Sequence, residues 1–381
     1  MSQVYIARCT DYTSERVEAA VRASVDALGG MRAFVSAGQQ VVLKPNLLQA
    51  QPPERAITTH PAVVRAVARL VIEAGAKPII ADSPIGPLTV PILHRTYQRT
   101  GLALVAEETG AELNYDTSAV RLSHPNGKLI KMADILRVVA EADAIISLPK
   151  LKTHNFTVFT GATKNLFGTI PGIAKAGYHT ALQTVERFSD MLLDLMDLCR
   201  PVLTVMDAVV GMHRDGPSGG EPIQIGLILA SADGVALDVV ATTLVGLSPL
   251  DVPPLRAAVE RGLTAGRVED IEVLGLSLEE ARVEGFVPSR TGIGSNALVA
   301  RLPAIVRDRV SRQLVATPRA GPNCIGCGLC AQNCPVGAIT MVGGRARMKL
   351  DSCIRCYCCH EVCPENAVEL HRPFLTRVLN R

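Results

Sequence analysis

Short apolar runs alternate with amphipathic stretches of helical period from residue 1 to about 285, the pattern of an α/β fold: a large three-layer domain around a mostly parallel sheet. The runs Val4 to Ala7, Gln40 to Leu43, Pro78 to Ala81, Ala144 to Leu148, Val202 to Met206, Ile225 to Ala230 and Ile271 to Leu274 read as buried strands. Between them Val63, Val67, Leu70 and Val71 share one helical face, and so do Leu182, Val185, Ser189, Leu192 and Met196. Pro61 falls in the first turn of the first of these helices and Gly75 just past its last. Pro125-Asn126-Gly127 predicts a hairpin that interrupts the alternation.

The pattern changes at 286, which bounds the α/β domain at 1–285. Residues 286–320 read as a connector whose amphipathic helix carries Arg301, Arg307, Arg309 and Arg312, either as a solvated face or to dock an acidic partner. A cysteine-rich module follows at 321–371, then a basic tail at 372–381.

That module holds the most specific signal. Cys324-x-x-Cys327-x-x-Cys330-x-x-x-Cys334-Pro335 is repeated as Cys353-x-x-Cys356-x-x-Cys359-x-x-x-Cys363-Pro364. Three thiolates at this spacing wrap one face of a cubane from a single loop, and in the bacterial two-cluster arrangement the fourth comes from the other motif. The expected ligands are Cys324, Cys327, Cys330 and Cys363 for one 4Fe-4S cluster, and Cys353, Cys356, Cys359 and Cys334 for the second. Structural zinc would use two pairs of ligands and has no role for the third cysteine of each run. Cys358 would break the repeat as a ligand, so it reads as a buried or cluster-adjacent thiol, and Cys9 and Cys199 read as core thiols. The small module is therefore expected to be a ferredoxin-like α+β unit that moves single electrons.

Composition narrows the rest. Of 381 residues 48% are hydrophobic but only 3% aromatic, with no tryptophan, so the core is aliphatic and no base-stacking platform for nucleic acid is expected. A formal charge of +3 is too small to imply a polyanionic partner. No apolar run reaches the ~18 residues of a membrane span, and no secretory signal is visible. Thiols committed to iron point to the cytoplasm, with peripheral attachment to a membrane complex still open.

The large domain shows chemistry at its predicted strand ends. Leu43 runs into Lys44-Pro45-Asn46, Ala81 into Asp82, Leu148 into Pro149-Lys150-Leu151-Lys152-Thr153-His154, Met206 into Asp207, and Ala230 into Ser231-Ala232-Asp233. In open parallel sheets such ends line one crevice, although Asp233 also suits the cap of a helix beginning at Gly234. Thr160-Gly161-Ala162-Thr163-Lys164-Asn165 adds a lysine and an amide, followed by Lys175 and His179; Asp215 precedes Gly216 to Gly220, a segment expected to close over a ligand. Lys44, Lys150, Lys152 and Lys164 would make the crevice electropositive and select an anionic small molecule, oriented by Asn46 and Asn165. Asp82, Asp207, Asp215 and Asp233 would orient lysines or hold a metal. His154 and His179 either relay protons or are simply hydrogen-bonded in polar loops. Walker and dinucleotide fingerprints are missing, the Gly-x-Gly at Gly292 and Gly294 lacking its third glycine and its strand.

The run Leu148 to His154, the Thr160 to Gly168 loop, Lys44-Pro-Asn46 and Cys353-Ile-Arg-Cys-Tyr-Cys-Cys-His-Glu-Val-Cys-Pro364 together resemble the uncharacterised iron-sulfur cluster-binding family built on domain of unknown function three-six-two, often fused to a two-cluster ferredoxin. The resemblance covers nearly the whole chain, makes Cys358 a family feature, and implies a fold and a cofactor but no reaction. The large domain is also similar to the amino-terminal part of nickel-pincer lactate racemases, without carrying any catalytic residue across. Three functions stay open: an oxidoreductase that feeds electrons from the clusters to an anionic ligand, a ferredoxin-like adaptor that serves a partner electron donor or acceptor protein, and a protein whose clusters are structural or sense redox state.

Overall fold

The computed structural model describes residues 1–289 and 316–371; the helix expected in the connector, with its arginines, and the tail 372–381 lie outside the described residues. The strands are β1 (Gln3–Arg8), β2 (Gln40–Pro45), β3 (Lys77–Ile80), β4 (Glu112–Leu113), β5 (Ala119–Ser123), β6 (Met132–Leu136), β7 (Ala144–Leu148), β8 (Lys150–His154), β9 (Val158–Thr160), β10 (Leu203–His213), β11 (Glu221–Ser231) and β12 (Glu272–Gly275). Ten of them form one sheet in the order β12-β1-β11-β10-β7-β2-β3-β4, with β8 added to β10 and β9 to β8. The remaining pair, β5 and β6, is the expected hairpin.

Alternation along the strands explains the two helical layers, because successive side chains point to opposite faces. Val41 and Leu43 of β2 pack with the helices Ser14–Ala27 and Pro61–Glu73, while Val42 packs with the helix Val185–Cys199 on the other side. Helix Pro61–Glu73 begins and ends where its proline and glycine require, with Gly75 at φ 89° beyond the last turn. Leu182 stands before the second helix rather than in it, because the Thr184 side chain caps that helix by accepting from Arg187 N.

All seven apolar runs lie in strands of the sheet, but two of their ends fall elsewhere than expected. β10 does not stop at Met206; it runs through Asp207 to His213, changing neighbours from β7 to β8 on the way. β11 is antiparallel to both β1 and β10, and Ser231 pairs with Thr204 at the beginning of β10. The chain after Ala230 therefore leaves at the opposite edge from the other strand ends, and Asp233 does not join them. Its carboxylate caps the helix Gly234–Leu244, accepting from Val235 N at 2.9 Å and Ala236 N at 3.0 Å.

The cysteine module pairs β13 (Thr317–Ala320) with β16 (Val368–His371) and β14 (Ile339–Val342) with β15 (Arg345–Met348). Two single-turn helices, Leu329–Gln332 and Cys358–Glu361, carry the third cysteine of each run and pack against one another.

His60 ties helix Pro61–Glu73 to the sheet. Its ring stacks on Tyr12 with centroids 3.5 Å apart, its Nδ1 accepts from Ala62 N at 3.2 Å, and its backbone N–H donates to Asp207 at 2.8 Å. Burial outweighs the attraction of Asp207 and pulls the imidazole down to about 4. A histidine whose folded value is depressed contributes stability above its unfolded value near 6.5 and loses it as the pH falls toward the folded one. Between pH 7 and 5 the native protein should thus lose about 2 kcal/mol more than His60→Asn, which keeps a capping oxygen but does not titrate. Anaerobic urea midpoints at the two pH values measure this; parallel shifts in both proteins would remove His60 as the titrating group.

Candidate functional site

The carboxyl edge of β2, β3 and β7 gathers the lysines, but burial forces each to find partners. Lys44 Nζ, fully buried, donates to Asp82 Oδ1 at 2.8 Å, Pro45 O at 2.9 Å and Asn165 Oδ1 at 3.3 Å, which uses all three donors. Lys150 Nζ donates to Asp207 Oδ2 at 2.7 Å and to the Tyr12 hydroxyl at 2.8 Å, and that hydroxyl donates to the same carboxylate at 2.8 Å. Burial pulls both ammonium groups below their usual range while Asp82 and Asp207 pull back. These two lysines, expected to neutralise a ligand, are neutralised within the protein, and Asp82 and Asp207 serve as their counter-ions.

Lys152 and Lys164 differ. Lys152 is fully buried, yet its Nζ meets only neutral oxygens, Asn46 Oδ1 at 2.8 Å and Ile57 O at 2.7 Å. Burial first, then the like charge of Lys164, push it well below the usual lysine range. Lys164 Nζ lies 5.9 Å from the centroid of the Phe167 ring and makes no hydrogen bond among the described residues. Asn165 is fixed rather than free to orient a ligand, since its amide donates to Lys44 O and Ser147 Oγ, each at 3.0 Å.

The segment after Asp215 is not a closing flap. Gly216, Pro217 and Ser218 are buried, and a Cβ at Gly219 would come within 2.6 Å of the His360 ring. The Asp215 carbonyl faces His360 Nε2 at 3.3 Å, so this stretch is a seat for the cysteine module and Asp215 stands outside the lysine cluster.

Each predicted set of four cysteines lines a cavity of its own. Cys324, Cys327, Cys330 and Cys363 surround about 380 Å³, and Cys334, Cys353, Cys356 and Cys359 about 340 Å³, part of each open to solvent. No cysteine among the described residues is in a disulfide. Backbone N–H groups already point at two of the sulfurs, Ala338 N at Cys334 and Ala367 N at Cys363, both at 3.2 Å. Four thiols around an otherwise apolar hollow, with amide donors to sulfur, fit a cubane that the protein ligates and hydrogen-bonds. Cys358 belongs to neither cavity. Cys9 and Cys199 are core thiols pushed up to about 11 by burial.

The module closes over the lysine edge through its Cys358–Glu361 turn. Gln49 donates to Glu361 O, Gln51 to Pro364 O at 3.2 Å, and His154 Nε2 lies 3.1 Å from Glu361 Oε1. Because His154 Nδ1 accepts from Phe156 N and Thr157 N at 3.0 and 3.2 Å, its proton sits on Nε2, yet that N–H is not aligned on the carboxylate, and neither Nε2 nor Glu361 Oε1 has a hydrogen-bond partner among the described residues. Burial and Lys164 keep His154 neutral, at about 4. Burial would raise Glu361, but His154 and Lys164 outweigh it and hold the carboxyl ionised. His179 is also neutral, pulled down to about 4 by burial, stacked on Phe188 at 4.6 Å with its Nδ1 unpartnered among the described residues.

Between the two domains lies a pocket enclosing about 650 Å³, partly open to solvent. Lys164, Lys175, His179 and Phe167 come from the α/β domain, and Asn333, Cys358 and Glu361 from the module. Asn333 precedes Cys334 and Cys358 precedes Cys359, so this wall is the outer shell of the second thiol cavity. Residue reasoning missed Glu361 and Asn333 as pocket residues; the only signal was the position of Glu361 directly after the cysteine run.

A covered, mostly parallel sheet fused to a module with two four-thiol cavities defines an iron-sulfur protein with an appended α/β domain. Residues 41–243 match the domain of unknown function DUF362, and residues 323–367 match the 4Fe-4S dicluster domain. The chain belongs to the DUF362 family, with a C-terminal 4Fe-4S dicluster domain. It is 36% identical over 274 residues to a thylakoid-associated protein of Synechocystis sp., covering 71% of this chain and 82% of that one. A solved lactate racemase apoprotein from Thermoanaerobacterium thermosaccharolyticum is a distant structural neighbour, with a TM-score of 0.42 and 12% identity over 65% of this chain and 58% of that one. No helix among the described residues is long and apolar enough to cross a membrane.

Asp207→Asn leaves Lys150 buried without its counter-charge and should cost about 3–5 kcal/mol, whereas Lys150→Met with Asp207→Asn, which removes the orphaned cation and keeps an acceptor for His60 N and the Tyr12 hydroxyl, should recover most of it. Anaerobic unfolding midpoints test this, and a midpoint unchanged in Asp207→Asn would show that the pair is dispensable.

Proposed function

We propose that the protein relays single electrons through two 4Fe-4S clusters to an anionic substrate or cofactor held between the domains. Cys324, Cys327, Cys330 and Cys363 hold one cluster; Cys334, Cys353, Cys356 and Cys359 hold the other. The observation that carries this reading is the shared wall: the residues next to Cys334 and Cys359 line the same pocket as Lys164 and His179. Each bound cluster supplies one electron at a time. The chain's own residues do the rest: Lys164 and Lys152 offset the ligand's charge, Asn46 holds Lys152 in place, and the packed module keeps the pocket partly dry. Tethering the relay to the pocket keeps donor and acceptor at high effective concentration.

The first cluster is the side for a protein partner, since Cys327 is exposed and Ile325 beside it is 66% exposed. A cytoplasmic setting suits thiols committed to iron, and the thylakoid association in the relative's name suits a partner at a membrane surface.

Cys353→Ser or Cys334→Ser should lower the iron content of anaerobically purified protein by about half, and Cys358→Ser should leave it unchanged. Equal iron loss in all three would place Cys358 among the ligands. Lys164→Ala should keep both clusters and their reduction by dithionite while reducing function in the producing cell by about tenfold or more. Full function in that variant, with loss in the cysteine variants, would favour an adaptor whose pocket is idle.

A further inference from the structure

A second, smaller cavity of about 300 Å³ opens beside the interdomain pocket and shares Asn46, Leu48, Lys164 and Asn165 with it. Three lysines, Lys150, Lys152 and Lys164, stand in its walls, and no carboxylate does. Lys150 is answered by Asp207, which is not among the lining residues. Lys152 has used two of its three donors on neutral oxygens, and Lys164 has used none among the described residues. The helix start at Gly161 is not an anchor for anything, because Asp238 takes Ala162 N at 2.7 Å and Thr163 N at 2.9 Å. A fully buried ammonium without a carboxylate is costly unless an anion completes it.

The wider pocket has a mixed lining. In its walls Glu361 faces Lys164, Asp82 is paired with Lys44 and Lys175 donates to Ser83 and Pro84, so no unanswered positive charge is left there for a second negative group, and Leu47, Ile85, Phe167 and Ile173 provide apolar surface.

We propose that the smaller cavity is an oxyanion subsite in which Lys152 and Lys164 hold the single carboxylate or phosphate group of a ligand whose apolar body extends past Asn46 into the wider pocket, against Cys358 and His179. This rests on the relay reading for what the ligand then does, but not for its binding. The ligand class is an amphipathic acid or monophosphate ester with one anionic end.

The test is calorimetric titration of anaerobic, cluster-loaded protein with inorganic phosphate and, separately, with butyrate. Saturable binding of either probe is expected, weakened about tenfold or more by Lys152→Gln and by Lys164→Gln, and unchanged by Lys77→Gln at an exposed position. Iron content and dithionite reduction in each variant report folding without relying on the site, and Lys164→Gln keeps the test open if Lys152→Gln does not fold. Phosphate-only binding identifies an ester and butyrate-only binding an acid. No saturable binding, or equal binding in native protein and folded variants, overturns the subsite. Saturable binding by protein whose clusters dithionite cannot reversibly reduce would instead leave the subsite standing and remove the relay.

Discussion

Buried, neutral His154 lies with its Nε2 3.1 Å from the ionised carboxylate of Glu361, and on that buried contact depends where the second thiol cavity stands relative to the lysine edge. Glu361 ends the turn that carries Cys358 and Cys359, so fixing its side chain against β8 fixes that whole turn. Gln49 reinforces the same point from the loop after β2, and Gly219 admits the neighbouring His360 ring where no larger residue would fit. Both partners of the His154–Glu361 contact are buried, and at 3.1 Å His154 Nε2 and Glu361 Oε1 are not aligned as a hydrogen bond, so the contact is electrostatic.

Charge at the edge follows from this packing. Two lysines are closed off by aspartates before any ligand arrives, and their role is to hold the ends of β2 and β8 in position. Glu361 is the charge that the module brings to Lys164, which leaves Lys152 as the buried cation whose hydrogen bonds go only to neutral oxygens. An electron arriving at the neighbouring cluster adds negative charge, and a positive wall of this kind favours its arrival. Neutral His154 and His179 are suited to donating hydrogen bonds or passing protons without adding charge to an already cationic site.

Much of this was legible in the residues, for a physical reason in each case. Most of the apolar runs became strands because burial on both faces demands uninterrupted hydrophobic segments, β12 being a half-exposed edge strand, and the cysteine spacing is readable because a cubane imposes its geometry over a few residues. Strand direction leaves no such mark. β11 is as apolar as its parallel neighbours, and its reversal, which sends Asp233 to the far edge, is set by the short connection from β10 at His213 to β11 at Glu221. Nor does a lysine's sequence position reveal its counter-ion: Lys44 and Asp82 are 38 residues apart, and Lys150 and Asp207 57. The glycines after Asp215 suggested freedom, but they serve close approach, a distinction that only the neighbouring His360 and Thr153 make.

Redox potentiometry of both clusters in native protein and in Lys164→Gln tests most directly whether the lysine pocket and one cluster are electrostatic neighbours. Removing a positive charge beside a cluster makes its reduction harder, so one of the two potentials should fall by roughly 20–70 mV while the other stays put. Two unchanged potentials, or two that fall together, would contradict the placement of the second cluster at the pocket.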